Sequence, residues 1–162
     1  MSQSPDEWMP RPQWDALVRG EGCPLCANLA LHVQTNAHIR TVTDLDLSRL
    51  WLAANQSVPG YCMLVCKKHV REPYDLPKEE RVAFLEDMMR AAQAIERVFN
   101  PIKMNFEILG NAIPHLHCHI KPRYYGVAAP GRPIHPDAHP HFLTQPDYEQ
   151  RAALLRAALL QS

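Results

Sequence analysis

The chain has 162 residues, with 17 Lys and Arg against 17 Asp and Glu, a formal net charge of zero and 46% apolar residues. That length suits one domain with a core of its own. The balanced charge gives no whole-molecule field to draw nucleic acid or an anionic membrane, and no apolar stretch approaches the roughly 20 residues of a membrane span.

Met1–Glu7 carries neither a basic region nor an apolar core, so no signal peptide is read there and the expected location is cytoplasmic. In a reducing compartment the five cysteines are not expected to pair as disulfides. Residues 1–12, with Pro5, Pro10 and Pro12, read as an irregular lead-in, and Trp14–Val18 as a short helix ending at Gly20. Cys23-Pro24-Leu25-Cys26 follows as a tight turn.

His38–Thr43 and Arg49–Ala54 read as strands. Leu47, Arg49, Trp51 and Ala53 of the second share one face, with Leu50, Leu52 and Ala54 on the other. Val58-Pro59-Gly60 makes a turn, because proline presets its φ and glycine accepts a positive one. Tyr61–Lys67 is apolar on both faces and reads as a central strand. Cys62, Cys66 and Cys118 sit in apolar stretches as inert, buried thiols.

Pro77–Phe99 is the clearest helix, with Val82, Leu85, Met89, Ala92, Ile95 and Phe99 as the expected buried stripe. Asn100-Pro101 stops it. Lys103–Leu109 and Leu116–Tyr124 are two more strands, and Asp147–Leu160 a closing amphipathic helix. The order predicts an α+β domain with a mainly antiparallel sheet. The whole chain, 1–162, reads as a single domain: an extension over 1–19, a core over 20–125, a proline-rich loop over 126–146 and the closing helix over 147–162.

On a strand, His115, His117 and His119 point one way, with Leu116, Cys118 and Ile120 pointing the other. Three imidazoles at strict alternation make a poor core. They fit either metal ligation by neutral rings or nucleophilic and acid–base work at phosphorus. Spacing alone does not choose.

Gly110-Asn111-Ala112-Ile113-Pro114-His115-Leu116-His117-Cys118-His119-Ile120-Lys121-Pro122-Arg123 resembles the signature of the histidine triad (HIT) superfamily. The likeness extends to Val58–Val65, to Lys67-Lys68-His69 and to Cys23-Pro24-Leu25-Cys26, covering about residues 20–125, and is similar to bacterial zinc-bearing hydrolases. A uridylyltransferase pattern would put glutamine at the third histidine, where this chain has His119.

The resemblance implies a HIT-like fold with about five antiparallel strands, and a nucleotide hydrolase or transferase acting at an α-phosphate. His117 would form a covalent nucleotidyl-histidine, and His119 would support the phosphate or departing group. Substrates would be dinucleoside polyphosphates or nucleoside phosphoramidates. It also implies a structural zinc held by Cys23, Cys26, His69 and His115, closing a tetrahedron. Relatives are commonly homodimers, and Trp51 and the Pro77–Phe99 helix supply apolar surface for such a contact.

Family members often carry Ser, Thr or Gln just before the triad. Here Asn111 and Ala112 stand there, and only Asn111 offers a side-chain donor. Asn105 and Asn55 are further candidates for nucleotide contact. Lys67, Lys68, Lys121 and Arg123 flank strand ends as ordinary solvated cations. His32 and His38 carry no constellation, and His135, His139 and His141 read as a loop bordering the site. Two other functions stay open: a hydrolase using all three triad histidines as metal ligands, and a nucleotide-binding regulatory module with vestigial chemistry, which Ala112 favours.

Overall fold

The computed structural model describes residues 8–32, 36, 38–127, 130–136 and 139–161. Met1–Glu7, and with it the expectation about a leader, lies outside the described residues, as do parts of the 126–146 loop. In chain order the elements are α1 (Arg11–Val18), α2 (Pro24–Ala30), β1 (Ile39–Asp44), β2 (Ser48–Ala53), β3 (Cys62–Cys66), a single 3-10 turn (Pro73–Asp75), α3 (Lys78–Phe99), β4 (Lys103–Glu107), β5 (His117–Arg123) and α4 (Gln145–Leu159). No helix among the described residues is long and apolar enough to cross a membrane.

The five strands form one antiparallel sheet in the order β1-β2-β3-β5-β4, so the apolar β3 is central, as its composition predicts. Alternation splits each inner strand between two environments. Leu50 and Leu52 of β2, Cys62, Leu64 and Cys66 of β3, and Leu116, Cys118 and Ile120 on and just before β5 face α3 and α4 in the main core. Trp51 and Val65, with Met63 beside them, face the other way, towards Cys23 and Leu25 of the α2 region. Burial pushes the Cys62 and Cys66 thiols up, and Cys118 up to about 12, so these three remain inert thiols.

The CxxC segment is not a turn. Pro24 opens α2, where its missing N–H is harmless, and Cys23 is the cap residue ahead of it. The far end of α2 is tied to the sheet by buried Arg49, which donates to Leu29 O at 3.2 Å and grips the Asp44 carboxylate at 2.7 and 3.0 Å. The turn at Val58–Gly60 forms as expected. Gly60 has φ +79°, and a Cβ there would lie 2.6 Å from the Phe99 ring. α4 starts at Gln145, two residues before its expected first residue, because Thr144 caps it by accepting from Asp147 N.

The expected buried stripe of α3 is wrong over its first half. Val82, Leu85 and Met89 are exposed, and the helix buries Phe84, Asp87, Met88, Ala91, Ala92, Ala94 and Ile95 instead. An acidic residue on the inner face hid this pattern. Asp87 is fully buried, accepting from Asp46 N at 3.2 Å, Leu47 N at 2.8 Å and Ser48 Oγ at 2.6 Å, and so pins the β1–β2 turn. Trp51, read as surface for a partner, is also fully buried.

Removing the Asp87 carboxylate would orphan three donors. Asp87→Ala is therefore expected to cost about 3 kcal/mol of stability, measured by denaturant unfolding; a loss below about 0.5 kcal/mol, the ordinary range for a surface change, would show that the turn does not depend on it.

Candidate functional site

The sheet face away from α3 and α4 carries two adjoining features, and β5 with the residues leading into it contributes to both. Its register with β3 pairs Val65 with His117 and Met63 with His119. His115 precedes the strand proper but keeps the alternation: its ring is completely buried on the same face as His117 and His119.

The first feature is a cluster of Cys23, Cys26, His69 and His115, whose ligand atoms all lie within 4.8 Å of one another. His115 Nδ1 is 3.4 Å from both sulfurs, His69 Nδ1 is 3.3 Å from Cys26 Sγ, and the two Nδ1 atoms are 3.2 Å apart. Ligand atoms placed tetrahedrally about one ion at ordinary zinc distances would be about 3.3–3.8 Å apart.

The protons make the same point. His115 Nε2 donates to Cys66 O at 2.7 Å and His69 Nε2 to Val18 O at 3.2 Å. Carbonyls only accept, so both rings carry their hydrogens on Nε2. Two bare Nδ1 lone pairs therefore face each other beside two sulfurs, a convergence of electron pairs that calls for a cation. Burial pushes the His115 imidazolium down to about 4, leaving that ring neutral at ordinary pH. Burial, reinforced by Cys23, pushes the Cys26 thiol up to about 11, so without a cation this sulfur keeps its proton.

The second feature is a cavity of about 420 Å³, within the usual range for small-molecule sites. α2 supplies Leu25 and Asn28, the sheet Ile39, Trp51 and Met63, and the segment after β4 Leu109 to Ile113, with His117 and His119 at one end. His117 Nδ1 donates to the carbonyl of His115 at 2.6 Å, which leaves the lone pair on Nε2. Burial, partly opposed by that hydrogen bond, lowers the His117 pKa and keeps the ring neutral further into acid than an exposed histidine. The His119 ring stands 5.0 Å from His117, nearly perpendicular to it, with Nδ1 2.7 Å from the Tyr61 hydroxyl. The arrangement offers an unprotonated ring nitrogen beside a second imidazole at the end of a largely apolar chamber.

Of the other expected contacts, Asn111 lines the cavity. Asn105 instead accepts from Arg123 Nε at 3.1 Å. Asn55 donates to Pro136 O and accepts from Ser57 N and His141 N, holding the proline-rich loop to the sheet. His135, His139 and His141 are exposed and join no metal-holding group among the described residues. His38, read as ordinary, lines the cavity.

Lys121 is not a solvated cation. It is buried, with Nζ 2.7 Å from Glu107 Oε2 and 3.1 Å from Ile134 O. Strand period alone places it on the His117–His119 face and could have revealed it. Nothing in the local pattern singled out Tyr61, which directly precedes β3.

Residues 34–126 match the family model described as HIT domain. An uncharacterised HIT-like protein of Methanocaldococcus jannaschii is 26% identical over 80 residues, 47% of this chain; the match spans 62% of that protein's length. The crystal structure of a histidine triad protein from Marinobacter aquaeolei superposes with TM-score 0.72 at 27% identity, covering 86% of this chain and 97% of the other. A zinc-bound histidine triad family protein from Mycobacterium smegmatis gives 0.61 at 23% identity over 86% and 94%, a likeness of fold.

At neutral pH, long-range proton–nitrogen spectra of His117 are expected to show hydrogen on Nδ1 and a bare Nε2. A ring protonated on Nε2 alone would contradict the bond to His115.

Proposed function

We propose, from the premise that the chain belongs to the HIT domain family, that it cleaves nucleotidyl substrates at the α-phosphate through a covalent intermediate on His117. The observation that carries this reading is the tautomer of His117: its proton is held on Nδ1 by the His115 carbonyl, and its other nitrogen is free to attack. The neighbouring cavity is apolar enough for a nucleoside and opens onto that ring.

In the first step the Nε2 lone pair forms a bond to phosphorus while the bond to the leaving group breaks, its electrons departing with that group. His119 donates to the phosphate or the leaving oxygen or nitrogen. Water then attacks phosphorus, the bond to His117 breaks, and a nucleoside monophosphate is released. Asn111 lines the cavity and is the side-chain amide proposed to touch the phosphate, whereas Ala112 has no side-chain donor. Dinucleoside polyphosphates and nucleoside phosphoramidates both present the required phosphorus with a group to expel.

The geometry weighs against three triad ligands on one ion. The three Nδ1 atoms are directed at the Cys cluster, at a backbone carbonyl and at Tyr61 respectively. Ala112 remains the one residue favouring a regulatory module. Turnover decides between them: His117→Ala is expected to abolish hydrolysis of adenylylated substrates, and acid-quenched native protein to carry labelled nucleotide. Activity retained in the variant, or binding of adenosine monophosphate by the native protein without any turnover, would sink the reading.

The Cys23–Cys26–His69–His115 set is proposed to hold one structural zinc, with no coordination position left for chemistry. Its contribution when bound is rigidity, joining α2 to the start of β5. Gently purified protein is expected to hold about one equivalent of zinc, and Cys26→Ser to lose it and melt at a lower temperature. Turnover should survive mild chelation, unlike that of an enzyme with catalytic metal. Elemental analysis giving below about a tenth of an equivalent would rule the site out as occupied.

A homodimer is part of the same proposal. Val82, Leu85 and Met89 on α3 are exposed, and β4 is an edge strand with Phe106 exposed and Ile102 and Ile108 exposed at its ends. Sedimentation velocity is expected to give twice the chain mass, reduced to the monomer by Leu85→Asp; a native monomer would overturn it.

A further inference from the structure

The hydroxyl of Tyr61 lies 2.7 Å from His119 Nδ1. Of the two groups the phenol is the stronger acid and the imidazole nitrogen the better acceptor, so the favoured arrangement is O–H donating to Nδ1. A neutral His119 then carries its hydrogen on Nε2, the reverse of His117.

The tyrosine is itself closely held. Gly60 directly before it adopts a left-handed φ, and the buried Gln56 side chain donates to Tyr61 O at 3.0 Å while accepting from Gly60 N at 3.0 Å. Behind the ring, Lys121 Nζ sits 5.7 Å from its centroid, fixed there by Glu107 and Ile134 O. A cation on that side polarises the phenol towards donation. Glu107 pairs with His119 across β4 and β5, so the ion pair flanks the same ring.

We infer that Tyr61 is a positioning residue that holds His119 in the tautomer able to give a proton to the leaving group, with Lys121 and Glu107 holding Tyr61. The inference rests on the α-phosphate chemistry proposed above. When the bond to phosphorus breaks, the hydrogen on His119 Nε2 passes to the departing oxygen or nitrogen as the phenol hydrogen passes to Nδ1, leaving a neutral ring and a phenolate near Lys121. The water that hydrolyses the intermediate gives a proton back to Nε2, and the hydrogen on Nδ1 returns to the phenolate.

Leaving groups differ in their need for this proton, and that difference is the test. Native protein and Tyr61→Phe would be compared on two adenylyl compounds: an alkylamine phosphoramidate, whose amine must leave protonated, and a para-nitrophenyl ester, whose phenolate leaves unaided. Turnover of the phosphoramidate is expected to fall about tenfold to a hundredfold, with the ester changed less than about twofold. An equal loss on both substrates would mean a merely structural tyrosine and overturn the inference.

Nitrogen spectra of His119 in the native protein supply a readout that needs no turnover and no variant: hydrogen on Nε2 is expected, and hydrogen on Nδ1 overturns the inference. If native protein hydrolysed neither compound, the hydrolase reading would fail on its own, and the tautomer of His119 would still decide the role of Tyr61.

Discussion

The 2.6 Å hydrogen bond from His117 Nδ1 to the carbonyl of His115 joins the two halves of the site. His115 takes part in three sets of contacts at once. Its Nδ1 faces the sulfurs and His69, its Nε2 donates to Cys66 O on β3, and its carbonyl receives the next histidine of the row. Nothing polar is left for solvent on a residue buried this completely. Shifting the strand by one residue would move the histidines into the hydrocarbon core and the apolar set into the cavity, so register and chemistry are specified together.

This division of the face puts a row of like residues into unlike surroundings. Identical side chains spaced two apart meet different neighbours, because α2 closes over the first and the cavity opens beside the second. The third reaches across to the chain entering β3. What separates the proposed ligand from the proposed nucleophile is which nitrogen a backbone carbonyl takes, Nε2 in His115 and Nδ1 in His117.

Much of this was legible in the sequence, and for physical reasons. Period-two alternation marked the faces of β2, β3 and β5, and the resemblance to the histidine triad signature implied the set of Cys23, Cys26, His69 and His115. Two departures share a cause: a polar residue lies inside. Asp87 lies on the inner face of α3, and its presence turned the expected stripe towards Val82, Leu85 and Met89. Lys121 was assigned to solvent, yet Glu107 satisfies it inside. Each is paired through a residue distant in sequence, Asp87 with the β1–β2 turn and Lys121 with β4, and such pairing has no local signature. The CxxC segment was misread as a turn because Pro24 suggests one. At the first position of a helix the same proline is favourable.

The turn before Tyr61 carries a consequence for how this sequence can vary. Position 60 is closed twice over, by its left-handed backbone and by the Phe99 ring filling the space a side chain would need. Position 99 is bound by only the second of these. A smaller residue could replace Phe99 without asking anything of Gly60, whereas no change at Phe99 would free Gly60 to become alanine without backbone strain. The dependence between the two runs one way, so drift in the helix can precede change in the turn but cannot license it.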